Sequence, residues 1–120
     1  MTILIVDDSA GVRRVLKRAV AECSTAVWEC TDGEGALSAY NHFRPNVVLM
    51  DVKMPRMDGF AATRMILRAH PAARVIMVTD YDDHSILTAA YRAGACAFVA
   101  KQNLLGLAGL IREVAADTNG

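Results

Sequence analysis

Residues 47–51 read Val-Val-Leu-Met-Asp, a run of four apolar side chains that ends in a carboxylate. A continuous apolar run is typical of a strand buried on both faces, whereas a half-exposed strand alternates apolar and polar residues. Burying an unpaired carboxylate costs too much free energy, so we expect Asp51 at the mouth of this strand. Pro55 and Asp58-Gly59 then mark a loop and the start of a helix. The fold must therefore cover both faces of a sheet.

Short apolar runs recur along the chain and alternate with segments of helical spacing. The predicted strands cover residues 3–6, 26–30, 46–51, 74–79 and 95–100, with the second strand at an edge. The first predicted helix covers 10–23 behind the candidate N-cap Ser9, and the last covers 103–116. This βαβαβαβαβα order predicts an α/β fold, a doubly wound parallel sheet in the order 2-1-3-4-5.

Length and charge limit the class of protein. The 120 residues suit one domain over 1–120, with a frayed tail expected at 117–120. Thirteen basic residues balance thirteen acidic ones, so net charge does not favour nucleic acid or an anionic membrane as a partner. No apolar run approaches the roughly 18 residues of a membrane span, and no secretory signal precedes the first strand. We therefore expect a cytoplasmic protein.

Polar side chains stand where four of the predicted strands end. The carboxyl ends of parallel strands share one edge of the sheet, and ligands bind there beside the switch point, here between strands 1 and 3. We therefore expect one site that combines Asp7 and Asp8 after strand 1, Asp51 at strand 3, Thr79 at strand 4 and Lys101 at strand 5.

This set of side chains favours metal-assisted phosphoryl chemistry. Three clustered carboxylates raise one another's pKa unless a cation intervenes, and Lys101 supplies only one positive charge. Oxygen ligands without cysteine or histidine suit Mg²⁺. Beside such an ion, one carboxylate can attack phosphorus and form an aspartyl phosphate. The metal, the lysine and the hydroxyl then stabilise charge on the transferring oxygens.

The same residues resemble those of a known family. Over essentially its full length the chain is similar to the receiver domain of two-component response regulators, which has a flavodoxin-like, CheY-like fold. The matching elements, in chain order, are Asp7-Asp8, Asp51, Met54-Pro55, Asp58-Gly59, Thr79 and Lys101. Each match is weak alone, but all of them at the correct strand ends are specific.

The resemblance implies a role for each site residue. Asp51 would be the phosphoacceptor, taking its phosphoryl group from a histidine kinase or a phosphotransfer protein. Mg²⁺ would be bound by Asp7, Asp8, Asp51 and the backbone carbonyl of Lys53. Thr79 and Lys101 would contact the phosphoryl group, and Phe98 would be the switch aromatic on a face formed by helix 4, strand 5 and helix 5. The resemblance also implies homodimerisation through helices 4 and 5. We expect a protein that catalyses its own phosphorylation and dephosphorylation and turns over no outside substrate.

Several positions depart from the family pattern. Asp80 stands where a small residue is usual, and its carboxylate is expected to slow phosphorylation or alter metal binding. Gln102 replaces the usual proline, which removes the reason for a cis peptide after Lys101. Lys53 and Tyr81 are bulky and border the path of attacking water, which predicts slow hydrolysis of the aspartyl phosphate.

Other functions remain open from the residues alone. A pseudo-receiver, acting as a phosphorylation-independent interaction domain, is the main alternative, and Asp80 is its one supporting feature. An aspartate-based phosphohydrolase usually has a second aspartate two residues after the first, where this chain has Lys53. A flavin-binding domain would want a phosphate loop after strand 1, where the acidic pair stands instead.

The sequence says less about partners. The segment 98–105 resembles receivers attached to helix-turn-helix output domains, yet these residues provide no recognition helix of their own. The basic stripe of the first helix is either a solvated face or a docking surface for an acidic partner, and Phe98 is either a switch or a plain core aromatic.

Overall fold

The computed structural model describes residues 1–80 and 84–116 of the chain. Strands and helices alternate from the N-terminus. The strands are β1 (Thr2–Val6), β2 (Ala26–Cys30), β3 (Val47–Asp51), β4 (Val75–Thr79) and β5 (Ala97–Ala100). The helices are α1 (Ala10–Ala19), α2 (Ala36–Phe43), α3 (Gly59–Ala69), α4 (His84–Ala93) and α5 (Leu107–Ala116). Tyr81 and the predicted frayed tail at 117–120 lie outside the described residues.

All five strands form one parallel sheet. The strand order is β2-β1-β3-β4-β5, which confirms the predicted doubly wound topology and the edge position of β2. Every residue of β3 and of β4 is buried, as the continuous apolar runs predict. The switch point therefore lies between β1 and β3, since β2 is added to the sheet on one side of β1 and the later strands on the other.

Two apolar layers cover the sheet. On one face, residues such as Leu4, Val48 and Met77 pack with α2, α3 and α4, where Tyr40, Ile66 and Ala90 are buried. On the other face, the alternate strand residues pack with α1 and α5. That second layer contains Ile3, Ile5, Leu49, Ile76, Leu16 and Ile111. The period-2 geometry of the strands thus divides each apolar run between the two layers.

Local chemistry sets the start of α1 and the end of α4. The Ser9 hydroxyl accepts a hydrogen bond from the Val12 backbone at 3.2 Å, which confirms the predicted N-cap. Gly94 ends α4 with a φ of 102°, a backbone conformation that L side chains rarely adopt. The Ala95 backbone N–H then bonds to the Ala90 carbonyl, completing a Schellman turn.

Two helices are shorter than predicted. The first ends at Ala19, because the chain tightens into turns in which the Ala21 N–H bonds to the Arg18 carbonyl. The last begins at Leu107 and not at residue 103. There the Leu107 N–H bonds to the Leu104 carbonyl in a turn, and Gly106 disfavours helix. Among the described helices, none has the length and apolar character needed to cross a membrane.

Candidate functional site

The carboxyl ends of β1, β3, β4 and β5 bring polar side chains to one edge of the sheet. The backbone ladder holds them there, since the Asp7 N–H bonds to the Cys30 carbonyl at 3.1 Å. On the far side, the Lys101 N–H bonds to the Thr79 carbonyl at 2.7 Å. Asp51 is the last residue of β3, between these two strand ends. The strand register therefore fixes the backbone from which each side chain projects.

Lys101 is the cation of this cluster. Its Nζ lies 2.9 Å from Asp51 Oδ1 and 3.5 Å from Asp7 Oδ2. A third carboxylate oxygen, Asp80 Oδ2, lies 3.9 Å from the same nitrogen. Burial alone lowers the pKa of Lys101, but the hydrogen bond and charge of Asp51, with Asp7 and Asp80, raise it above its ordinary value. Lys101 therefore stays protonated and is shared among three acids.

Asp51 carries its negative charge at a free-energy cost. Its side chain is only 4% exposed. Burial is the main reason that its pKa rises from 3.8 to about 6, and the charges of Asp7 and Asp8 raise it further. The hydrogen bond and charge of Lys101 oppose this shift without cancelling it. A further cation placed here would be stabilised by the same charges.

Asp7 is fully buried and only partly satisfied. Its Oδ1 accepts a hydrogen bond from the Ser9 backbone at 2.8 Å. Its Oδ2 is buried and has only the long ion pair with Lys101, at 3.5 Å, among the described residues. Burial raises the pKa of Asp7 even though Ser9 and Lys101 lower it. A buried carboxylate oxygen that is held only by a long ion pair attracts a further positive ion.

The acids meet the requirements of a hard divalent cation. Asp7, Asp8 and Asp51 each offer an oxygen, and these three oxygens lie within 4.8 Å of one another. Asp8 is exposed, whereas Asp7 and Asp51 are buried, so one of the three carboxylates faces solvent. Lys53 follows Asp51 by two residues with its side chain exposed. The donor set consists of oxygen atoms only, which fits Mg²⁺.

The loop after β3 is shaped by two residues that the sequence placed only as a helix start. Asp58 caps α3 through a 2.9 Å hydrogen bond from the Ala61 N–H. Gly59 packs so closely behind the site that a Cβ there would overlap the backbone carbonyl oxygen of Asp51. The Gly59 N–H also bonds to the Val52 carbonyl at 2.8 Å. Asp58-Gly59 therefore positions the backbone that carries Asp51.

Sequence reasoning missed a clamp formed by Arg56. This residue has a positive φ of 67° and its guanidinium lies 3.0 Å from Glu34 and 3.6 Å from Asp32. It joins the loop after β3 to the loop after β2. The sequence signal was limited to opposite charges, since Glu34 and Asp32 precede Arg56 by 22 and 24 positions. Charge alone does not identify a partner so far away in the chain.

The remaining predicted residues surround this cluster. Thr79 is 3% exposed at the end of β4. Phe98 lies one strand away, pairs with Met77 and is half-buried against the core layer of α2, α3 and α4. Asp80 is exposed, and Gln102 donates a hydrogen bond to its carbonyl. The peptide after Lys101 is trans.

The basic stripe of α1 is partly engaged within the molecule. Arg13 and Lys17 pair with Glu29 on β2, at 3.0 and 3.3 Å. Arg13 also donates to the Asp7 carbonyl at 2.7 Å. Arg14 and Arg18 are exposed. The basic stripe is therefore not entirely a solvated face, because Arg13 helps to fix the loop that carries Asp7.

Sequence comparison agrees with this geometry. The family described as "Response regulator receiver domain" matches residues 3–108. The response regulator GacA of Pseudomonas viridiflava is 36% identical over 114 residues, covering 93% of this chain and 52% of GacA. The chemotaxis protein CheY of Thermotoga maritima is 34% identical over 100 residues, covering 82% of this chain and 83% of CheY. The chain therefore spans about half the length of the GacA relatives that it matches.

Solved structures show the same architecture. A LuxR-family two-component response regulator from Aurantimonas sp. SI85-9A1 has a TM-score of 0.89 at 29% identity, covering 96% of this chain and 84% of that one. The response regulator domain of Thermotoga maritima CheB has a TM-score of 0.86 at 29% identity, covering 97% and 96%. With five strands in the CheY-like order, the acids at their ends and a family match over most of its length, this chain belongs to the response regulator receiver domains of two-component signalling.

Proposed function

We propose that this receiver is controlled by phosphorylation of Asp51, with a histidine kinase or a phosphotransfer protein as donor and Mg²⁺ as cofactor. The observation that carries the proposal is the arrangement around Asp51. Lys101 Nζ lies 2.9 Å from its carboxylate, and two further acids offer oxygens within 4.8 Å. A carboxylate with a lysine and a candidate metal site beside it has the groups that phosphoryl transfer needs.

In the transfer, a carboxylate oxygen of Asp51 attacks phosphorus while the bond from phosphorus to the donor's imidazole nitrogen breaks. The ring nitrogen takes the electron pair of that bond, the imidazole leaves neutral with its proton on the other ring nitrogen, and Asp51 becomes an acyl phosphate. Mg²⁺ held by Asp7, Asp8, Asp51 and the Lys53 carbonyl would neutralise charge on the phosphoryl oxygens. Lys101 would move its ion pair from the Asp51 carboxylate to the new phosphoryl group. Water later attacks phosphorus, the bond from phosphorus to the Asp51 oxygen breaks, and inorganic phosphate leaves the restored carboxylate.

The phosphoryl group would act on the rest of the molecule through Thr79 and Phe98. Thr79 would turn its hydroxyl toward a phosphoryl oxygen. Because Thr79 and Phe98 lie on the adjacent strands β4 and β5, movement of one side chain changes the space open to the other. The exposed face of α4, β5 and α5 would then change and bind a downstream protein, an output domain or a second copy of the chain.

Three further features belong to this proposal. The protein acts on itself and turns over no outside substrate. It works in the cytoplasm, where histidine kinases present their phosphohistidine. Tyr81 and Lys53 slow the hydrolysis of the acyl phosphate. A pseudo-receiver is the weaker alternative, because Asp7, Asp8, Asp51 and Lys101 are all present and in contact or close to one another.

The proposal is tested by incubating the protein with phosphoramidate and Mg²⁺ and measuring its intact mass. We expect one added phosphoryl group, which disappears with EDTA and in Asp51→Asn. Asp58→Asn is the matched control, since it makes the same chemical change nearby and keeps an N-capping side chain for α3. Absence of an adduct with phosphoramidate, acetyl phosphate and a phosphorylated phosphotransfer protein would refute the proposal in favour of a pseudo-receiver.

A further inference from the structure

Two positions that depart from the family pattern contact each other at the mouth of the site. The Gln102 side-chain amide donates a hydrogen bond to the Asp80 backbone carbonyl, with an N to O distance of 2.6 Å. This bond joins the segment after β4 to the segment after β5. The Lys101 N–H already bonds to the Thr79 carbonyl between the same two segments. These two hydrogen bonds therefore join the segment that contains Asp80 to the segment after β5. One bond reaches Asp80 itself and the other reaches the preceding residue, Thr79.

The side chain of the residue held in this way adds a negative charge beside the reacting groups. Asp80 Oδ2 lies 3.9 Å from Lys101 Nζ, and the Asp80 side chain is 56% exposed against 16% for Lys101. Asp80 is therefore the most solvent-exposed of the three carboxylates that lie near the lysine. Among the described residues, Asp80 is thus the third carboxylate within 4 Å of one ammonium group, beside Asp51 and Asp7.

We propose that Asp80, positioned by Gln102, is a specificity-determining residue that selects phosphoryl donors by charge. It disfavours dianionic acyl phosphates relative to N-phosphoryl donors whose nitrogenous leaving group carries a proton. The inference deepens the proposed function and rests on it. A carboxylate at the entrance repels a dianion and attracts a protonated nitrogen, and only the second kind of donor matches the phosphohistidine of a protein partner.

The two reactions differ at the leaving group and not at Asp51. With acetyl phosphate, a bond from Asp51 oxygen to phosphorus forms, the P–O bond breaks and acetate leaves with the electron pair. With phosphoramidate, the P–N bond breaks and ammonia leaves, its nitrogen already protonated before transfer. Repulsion between a carboxylate and a dianion several ångströms apart in water corresponds to about a fivefold change in rate.

The test compares the rates of phosphorylation by acetyl phosphate and by phosphoramidate at equal Mg²⁺ and ionic strength. In Asp80→Asn we expect the acetyl phosphate rate to rise about fivefold and the phosphoramidate rate to change less than twofold. The difference between donors should fade at about 1 M salt, where charges are screened within about 3 Å. Asp80→Ala serves as a second variant, and melting curves check that each variant is folded.

The charge control is Glu113→Gln, which removes one exposed carboxylate from α5. Glu113 lies beside Arg74 and Ala97, at the end of the sheet opposite Lys101. We expect this control to leave the ratio of the two rates unchanged. An equal change for both donors in Asp80→Asn, or the same shift in the ratio in Glu113→Gln, would overturn the inference and leave the proposed function standing.

Gln102 is tested as a positioning residue through the same ratio. Gln102→Ala should shift the ratio in the direction of Asp80→Asn, and the double variant should show no further shift, because both changes remove one effect. Asn103→Ala is the matched control on the neighbouring exposed amide. Additive shifts in the double variant would overturn the role of Gln102. Failure of every donor to phosphorylate the wild-type chain would overturn the proposed function and this inference with it.

Discussion

The ionised form of Asp51, which the proposed phosphoryl transfer needs, lowers the stability of the fold. Asp51 has a pKa of about 6 in the fold, against 3.8 without its surroundings, because burial outweighs the help of Lys101. The unfolded chain thus releases this proton at a lower pH than the folded chain. Asp51 therefore makes the free energy of unfolding fall as pH rises from about 4 to about 6, and the whole penalty is present above that range.

Replacing this carboxylate by an amide should stabilise the metal-free protein. In EDTA at pH 7.5 we expect Asp51→Asn to raise the free energy of unfolding by about 1–3 kcal/mol, since each unit of pKa shift corresponds to about 1.4 kcal/mol. The difference should shrink as pH falls and vanish by about pH 3, below both pKa values, where the wild-type carboxyl is mostly protonated in both states. Urea unfolding at the two pH values measures it.

Asp58→Asn is again the control and should change stability little, because its side chain is exposed and an amide also caps a helix. If Asp51→Asn were less stable than wild type at pH 7.5 in EDTA, the ionised Asp51 would be a net stabilising group. The interpretation of its raised pKa would then be wrong.

At the scale of elements, the helices and strands follow local patterns while their ends follow local chemistry. Apolar runs located every strand. Ser9 begins α1 through its side-chain cap, and Gly94 ends α4 through its positive φ, as their residue types predict. The start of α5 was placed four residues too early, since leucine spacing continues through a segment that forms turns. Periodicity marks which residues face the core and not where the first helical hydrogen bond forms.

Two glycines in helices should respond oppositely to the same substitution. Gly59→Ala brings a Cβ against the Asp51 carbonyl oxygen, so we expect a loss of several kcal/mol in unfolding free energy and slower phosphorylation. Gly109→Ala on α5 meets no atom within 4 Å, so we expect a gain of up to about 1 kcal/mol from helix propensity. Chemical denaturation of both variants, with rates from phosphoramidate, measures the pair. Tolerance of alanine at 59 would contradict the close packing behind Asp51.

At the scale of the whole molecule, a cation bound at the acidic cluster should stabilise the fold. The free energy of unfolding should rise with Mg²⁺ by about 2.7 kcal/mol at a hundredfold excess over Kd. The gain should be smaller below pH 6, because Asp51 and Asp7 have raised pKa values and protons compete with the metal. Thermal unfolding in MgCl₂ and in NaCl of equal ionic strength measures it.

Asp51→Asn should lose most of the Mg²⁺ effect, and Asp58→Asn should keep it. Equal stabilisation by the two salts would show general screening and would contradict a magnesium site at Asp7, Asp8 and Asp51. Unfolding of Asp51→Asn in EDTA and in MgCl₂ measures two separate effects. In EDTA the amide removes the cost of the buried charge, and in MgCl₂ it removes the stabilisation by the metal.

Sequence alone determined the strands, their parallel order and the set of polar residues at their ends. These follow from local facts, namely which stretches are apolar, where helices intervene and which side chain ends each run. The roles of Asp51, Thr79, Phe98 and Tyr81 in signalling stay predictions, and Tyr81 lies outside the described residues.

Only the tertiary structure decided how the charges at that edge are shared. Lys101 contacts Asp51, Asp7 and Asp80 at different distances, Gln102 holds Asp80, and Arg56 joins two loops. Such contacts join residues far apart in the chain, so they depend on strand register and loop path. The run from Val47 to Asp51 could place a carboxylate at the end of a buried strand, but its burial, its pKa and its partners arise from the other strands beside it.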